Sequence, residues 1–487
     1  MINNIPNEVS RVTSELEKAG FDAYLVGGCV RDLLLGKEPR DWDITTNALP
    51  DQIIGLFSKT FYENSFGTVT IVNETLTNNL REIQITPYRL EGKYSDFRHP
   101  DQISFAKTLG EDLSRRDFSI NALAYSVSKG QLTDLYTGQQ DLAWRSIRAV
   151  GNPITRFQED PLRILRAIRL ATELGFTINT ETGEAIVTQS ALLQKISAER
   201  IRDEFGKIIM SKQPMFGLVL SQKLGVLTQF LPEIEEGVGM KQNGDHKYDV
   251  WEHTLRVLQH SADKNFEFHV RLAALFHDIG KPRTRKWGEE KGDWTFYGHD
   301  VIGAKMTKKV LTRLKFPSKT IETVEKLVRN HMFFTDIEKI TLSAVRRIIR
   351  NVGQEHVWDL MKVRNCDRIG MGRPKESPYR LRKYESMIEE ALRSPTSVAM
   401  LKINGARIIE VTKTPPGPKI GQILHALLEE VLDKPELNTV EILEARAKEL
   451  ANLPDQELQK LGEAGKEKKE AVEEGELKKI RQKYAVK

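Results

Sequence analysis

A change of hydrophobic period near Pro161 divides this chain and limits what it can fold into. Upstream, the runs DAYLVGG, DWDITT, GTVTIV, REIQITPYR and QLTDLY alternate with helical stretches and turn residues, the pattern of a small mixed sheet covered by helices. From Pro161 onward Leu162, Leu165, Ile168 and Ala171 fall on one face of a 3.6-residue period, and the remainder reads as overwhelmingly helical. The predicted class is α+β: a head of mixed sheet plus helices, then all-α regions. At 487 residues the chain exceeds one hydrophobic core, given roughly 100–200 residues per domain. Gly and Pro punctuate it at LPEIEEGVGMKQNGDH, GKPRTRKWGEEKGDW, GMGRPKESP and KTPPGPKIG. The expected divisions are 1–150, 151–238, 239–375 and 376–452, with a Glu/Lys-rich end, 453–487, read as a solvated helix or loose tail.

Composition mainly excludes. No apolar run nears the roughly 20 residues that span a bilayer, and MINNIPNEVSRVTSELEKAG has neither the basic nor the apolar region of a secretion signal, so a cytoplasmic protein is expected. Cys29 and Cys366 are the only cysteines, too few for a disulfide framework or a thiolate zinc site. The net charge of +5 permits nucleic-acid binding without requiring it, so an RNA function has to be read from local patterns.

The first such pattern is Asp41-Trp42-Asp43. On a strand, i and i+2 carboxylates share a face, and they repel unless a cation lies between them; Mg²⁺, which takes oxygen ligands and keeps waters and phosphates, suits the pair. A polar strand end is the plainer reading of Asp-x-Asp alone. Just upstream, YLVGGCVRDLLLG breaks an apolar strand at Gly27-Gly28 and enters a helix bearing Arg31, an arrangement that lets a triphosphate approach the backbone. Farther on, LSRRDFSINALAY sets Arg115, Arg116, Asp117 and Asn121 together, either a solvated face or a polyphosphate and ribose site.

The ordered motifs GGCVRD, RDWDITT, RRDFSINAL and EDPLRILRAIR resemble the bacterial class II tRNA nucleotidyltransferase and poly(A) polymerase family over about the first 235 residues. The resemblance implies a polymerase-β-type nucleotidyltransferase head in which Asp41 and Asp43 hold catalytic Mg²⁺. It places Gly27, Gly28 and Arg31 on the triphosphate, and Arg115, Arg116, Asp117 and Asn121 on the phosphates and sugar. The stretch YSDFRHPDQISFAKTLGEDLSRRDF is similar to the family's flexible loop, which argues against an enzyme adding C only. In the neck, Asp160 and Arg163 match the side chains that template the incoming base, with Arg166 and Arg169 on the same basic flank, and ISAERIRDEFGKII resembles the helix that follows. An aspartate acceptor beside an arginine donor fits the amino group and ring acceptor shared by cytosine and adenine, and rejects guanine and uracil. The plainer alternative is an ion pair within the helix. The implied substrates are CTP, ATP and tRNA.

A second constellation spans residues 246–367: His253, His277, Asp278, His299, His331 and Asp367. Imidazole and carboxylate together suit divalent metals, although a single buried histidine is more often a core residue. The order resembles the HD phosphohydrolase superfamily. That resemblance implies a metal set of His253, His277, Asp278 and Asp367, with His299 and His331 supporting a second ion and Lys281 near the phosphate. An active phosphohydrolase acting on 2′,3′-cyclic or terminal RNA phosphates and a degenerate structural site both stay open. The rival readings for the whole chain are a poly(A) polymerase or A-adding enzyme, and a metal phosphohydrolase that uses its head to bind RNA. The segment LKINGARIIEVTKTPPGPKIGQILHALLEEVL resembles the family's C-terminal region, with Lys419 near a helix start facing tRNA.

Overall fold

The computed structural model describes residues 2, 5–63, 67–90, 104–244, 246–333, 341–393 and 397–486. The chain divides into two compact units, Met1–His331 with Lys362–Pro374, and Met332–Met361 with Lys375–Lys487. Of the stretch 94–118 that resembles the family's flexible loop, residues 94–103 lie outside the described residues, while Leu109–Ser114 forms a short helix.

After the helix Asn7–Lys18, the first unit carries β1 (Tyr24–Val26), β2 (Trp42–Thr46), β3 (Thr60–Glu63), β4 (Thr68–Val72), β5 (Glu82–Pro87), β6 (Arg89–Leu90), β7 (Ser104–Phe105), β8 (Leu123–Ser126) and β9 (Gln131–Asp134). Seven of these form one sheet in the order β3-β4-β5-β2-β1-β8-β9, while β6 and β7 pair separately. At its centre β2 runs parallel to β5, with Asp43 opposite Gln84, and antiparallel to β1. Leu25, Ile44, Ile83, Ile85 and Ala124 of these central strands are fully buried, as strands flanked on both sides require.

The helix Leu162–Leu174 buries Leu165, Ile168 and Ala171, the face the period predicts, and stops at Gly175 in the left-handed region. The helix Ala198–Met210 joins it through Glu204, which accepts from Arg169 Nε at 2.6 Å. The end of that second helix is closed from the next domain. The buried Arg271 guanidinium donates to the carbonyls of Ile209 (3.1 Å), Ser211 (2.8 Å) and Phe266 (2.9 Å). Carbonyls at a helix end have no partner within the helix, so one side chain ties the neck to the helices carrying the histidines.

In the second unit the charged end is ordered. It forms the helix Asp455–Lys483, which packs on Pro418–Asp433 and adds Leu458 to a core with Ile408, Ile423, Leu427, Leu443 and Leu450. The contact runs through glycines: a Cβ on Gly465 would collide with the His425 carbonyl, and one on Gly462 would lie 3.0 Å from Gln422 Cα. Lys419 pairs with Asp455 at 3.1 Å.

Candidate active site and metal centre

β1 runs into the helix Gly28–Leu34 through Gly27, whose φ is 76°. A side chain there would be strained, and its Cβ would sit 3.1 Å from Arg116 Nη1 and 3.7 Å from Asp43 Oδ2. Glycine thus lets a carboxylate and a guanidinium converge on the end of β1. Asp43 belongs to β2, whereas Asp41 is exposed and immediately precedes that strand. Burial pushes the Asp43 carboxyl up to about 6, the neighbouring charge of Asp41 adds to the effect, and Arg116 opposes it. An oxygen-only pair whose mutual repulsion raises a pKa is relieved by a divalent cation, so the residues present fit one.

Asp43 opens onto a cleft of about 340 Å³ that Arg115, Arg116, Asp117, Arg163, Arg166, Gln84 and Arg89 also line. The guanidiniums are aimed by carboxylates. The fully buried Asp112 accepts from Arg115 Nη2 at 2.7 Å and pairs with Arg116 Nη2 at 3.2 Å. Asp117 pairs with Arg166 at 3.1 Å and accepts from Asn121 Nδ2, also at 3.1 Å, while Asn121 accepts from Arg31 Nη1 at 2.9 Å. Burial works against the Asp117 carboxylate, yet Arg166, Asn121 and Arg163 hold it below the ordinary range. Six of the residues singled out in the head and neck thus meet at one cleft, and Arg31 and Asn121 join them through hydrogen bonds.

The neck pair is arranged differently from a simple intrahelical ion pair. Asp160 accepts from Arg200 at 2.8 Å and from the Leu162 amide at 3.1 Å. Arg163 donates to Glu159 at 2.8 Å and to the Arg115 carbonyl at 3.1 Å. The two side chains are therefore held by separate partners.

The six residues of the second constellation come together, none more than 7% exposed. His253 lies within the helix Val250–Asp263, His277 and His331 follow the last residues of Phe268–Phe276 and Ser318–Asn330, and His299 begins His299–Arg313. Asp367 comes from Val357–Gly370. The donors form two triads, His253/His277/Asp367 and Asp278/His299/His331. Asp278 spans them, with Oδ2 3.1 Å from the Nε2 atoms of His253 and His277 and Oδ1 3.4 Å from that of His299.

Tautomers follow from the backbone. Nδ1 of His277, His299 and His331 lies 2.7–2.8 Å from the carbonyls of Ala274, Phe296 and Val328. Each Nδ1–H donates outward, so each Nε2 lone pair faces inward. Nε2 of His253 and His277 are 3.1 Å apart, and those of His299 and His331, whose lone pairs both face inward, are 3.3 Å apart, a repulsive arrangement that a shared cation would resolve. The histidines respond in opposite directions: burial opposes an imidazolium at His277, but Asp278 and Asp367 push it up to about 10, whereas burial and the neighbouring His277 and His299 hold His331 down to about 3. The chemistry of the set fits two divalent ions. Lys281 Nζ is 2.6 Å from Asp278 Oδ2 and donates to Gln242 at 2.6 Å.

The residues the motifs did not single out are mostly partners. Asp112 had a signal, its place three and four residues before two arginines. Arg200, Gln84 and Gln242 had none, because their roles arise from contacts between distant segments.

A mixed-sheet head with an acidic and arginine-lined cleft, joined to a helical histidine–aspartate centre, defines a nucleotidyltransferase with an HD domain. Residues 23–148 match the Poly A polymerase head domain, 175–237 the probable RNA and SrmB-binding site of polymerase A, and 250–378 the HD domain. The CCA-adding enzyme of Leuconostoc mesenteroides is 31% identical over 458 residues, 93% of this chain and 99% of that one. The CC-adding tRNA nucleotidyltransferase of Thermus thermophilus is 34% identical over 84% of this chain and 89% of its own length. A match of higher identity is shorter: 41% to the Levilactobacillus brevis CCA-adding enzyme over 262 residues, 53% of this chain and 62% of that protein. The crystal structure of the Bacillus stearothermophilus CCA-adding enzyme in complex with CTP superposes with a TM-score of 0.60 at 26% identity, covering 91% of this chain and 98% of that one. The chain belongs to the class II CCA-adding enzyme family, with an HD domain.

Proposed function

We propose that this protein adds C, C and A in turn to the 3′ end of tRNA from CTP and ATP, without a nucleic-acid template. The observation that carries the reading is the convergence of Asp43, Arg115, Arg116, Asp117 and Arg166 on one cleft, with Asp41 at its strand's edge. In each addition the tRNA 3′-hydroxyl attacks the α-phosphorus; a new P–O bond forms, the hydroxyl proton is lost, and pyrophosphate leaves. Magnesium held by Asp41 and Asp43 would supply Lewis acidity and a more acidic hydroxyl. The chain's own residues do the positioning. Arg115 and Arg116, aimed by Asp112, neutralise the polyphosphate, and the linked set Arg31, Asn121 and Asp117 faces the sugar and phosphates.

Asp160 and Arg163 select the base. A carboxylate has about four acceptor sites, so Asp160 can take a base amino proton while bonded to Arg200 and the Leu162 amide. Arg163, held by Glu159 and the Arg115 carbonyl, donates to the ring acceptor. Among the described residues no helix is long and apolar enough to cross a membrane, and Cys29 and Cys366 are both buried; a place in the cytoplasm is part of the proposal.

The test is incubation of the purified protein with tRNA lacking its last three nucleotides, Mg²⁺, and each triphosphate singly and together, resolved to single nucleotides. Two C additions followed by one terminal A are expected. A product stopping after two C residues, a long A tail, or no use of CTP would each refute the assignment. A second reading rests on the six-residue cluster, complete and buried: the HD domain hydrolyses 2′,3′-cyclic or terminal phosphates at RNA ends, using divalent metal.

A further inference from the structure

Between Asp278 and His299 the chain makes an excursion that neither triad needs. Lys286–Gly288 and Asp293–Thr295 form a hairpin in which Trp287 pairs with Trp294. The two indoles meet edge to face with centroids 5.2 Å apart, and the Arg285 guanidinium stands 3.6 Å from the Trp294 ring centre. Trp287 nevertheless stays 52% exposed, and Tyr297, just past the hairpin, is 73% exposed. Lys291 donates to the Tyr297 hydroxyl at 2.8 Å. A single exposed aromatic needs no explanation. Two on one short segment, interleaved with Arg285, Lys286 and Lys291, have the makeup of surfaces that stack bases and attract a phosphate backbone.

The segment is also built into the frame of the metal-type cluster. Asp293 accepts from the Gly244 amide at 2.8 Å. Two residues before Gly244, Gln242 holds Lys281; two residues after it, the ring of His246 lies 5.5 Å from that of His253. On the other side Phe296 accepts from His299 Nδ1 at 2.7 Å. Tyr297 is thus two residues from a candidate ligand. The acidic pair Glu289 and Glu290 occupies the tip, which leaves the Arg285–Lys286 side for a polyanion.

We propose that the Arg285–Tyr297 hairpin is a base-stacking platform for the 3′-terminal nucleotides of single-stranded RNA, guiding the terminal phosphate toward the histidine–aspartate cluster. The proposal rests on the phosphohydrolase reading for its purpose, but its binding test stands apart. The probe is a single-stranded RNA hexanucleotide ending in a 2′,3′-cyclic phosphate, with 4-thiouridine as its last base. Its affinity for the full-length protein would be measured by fluorescence anisotropy, and its photocrosslinks mapped by mass spectrometry. Trp287→Ala and Tyr297→Ala should each weaken binding about tenfold, the scale of one lost base stack, while Tyr297→Phe keeps the ring and the affinity. Crosslinks should fall on Trp287 or Tyr297. Affinity unchanged in both alanine variants, or crosslinks confined to the head, as for a probe bound only at the nucleotidyltransferase cleft, would overturn the platform. Hydrolysis of the same probe by the unaltered protein with Mg²⁺, Mn²⁺ or Ni²⁺ tests the other reading: no turnover refutes the phosphohydrolase, while a tenfold loss of binding would still uphold the platform.

Discussion

The head cleft and the HD cluster both gather charge, and they do so in opposite ways. The cleft is open and arginine-rich, its guanidiniums paired with Asp112 and Asp117. The HD cluster is closed, its six donors gathered together and three of its four imidazoles held by backbone carbonyls three residues back. An open site made of long side chains suits a polyphosphate that arrives and departs with every cycle. A closed one suits small ions that stay. On the proposed function, the chain separates the exchange of large anions from the retention of cations.

Four substitutions break or sharpen that contrast, beginning with the largest effect. Asp43→Ala should lower nucleotide incorporation by on the order of 10³-fold or more, with metal bound in the HD cluster unchanged by atomic emission after dialysis. Loss at both sites would mean that the two are not separate. His277→Ala removes a donor from the first triad and should abolish retained metal there; single-turnover CTP incorporation should stay within about twofold, as for distant independent sites. Asp112→Ala strips the shared anion from two arginines that keep some solvent. Destabilisation of about 3 kcal/mol, the low end for breaking a buried pair, should appear in urea unfolding together with a raised KM for CTP; an unchanged KM would show that Asp112 does not aim the guanidiniums. The smallest effect is expected in the second unit. Gly465→Ala presses a methyl into the His425 carbonyl and should destabilise it by about 1–3 kcal/mol, visible as a lower melting temperature, without changing the rate of CTP incorporation.

What could be read in the sequence depended on whether a feature is local. Asp41 and Asp43, Gly27 and Gly28, and the Arg115–Asn121 motif carry their chemistry in adjacent letters, and the structure groups them. The face of Leu162–Leu174 was equally legible, since burial on one side of a helix imposes a period. Asp160 and Arg163 show where spacing stops being informative: Glu159 is a local partner four residues before Arg163, but Arg200 and the Arg115 carbonyl lie 40 and 48 residues from the groups they hold, and no local pattern indicates them. The charged end was hard to read for another reason. Its helix packs through Gly462 and Gly465, and a contact made by the lack of side chains leaves no hydrophobic stripe.

His277 and His331 sit where their helices run out, each Nδ1 held by a carbonyl three residues back. The ring's grip on an ion and the integrity of the final turn are therefore a single mechanical element. With an ion bound as proposed, fraying of Ser318–Asn330 at its end would swing His331 away, so that ion release and exposure of the nearby amides to deuterium would be one event, and the metal off-rate a clock for the opening of that turn.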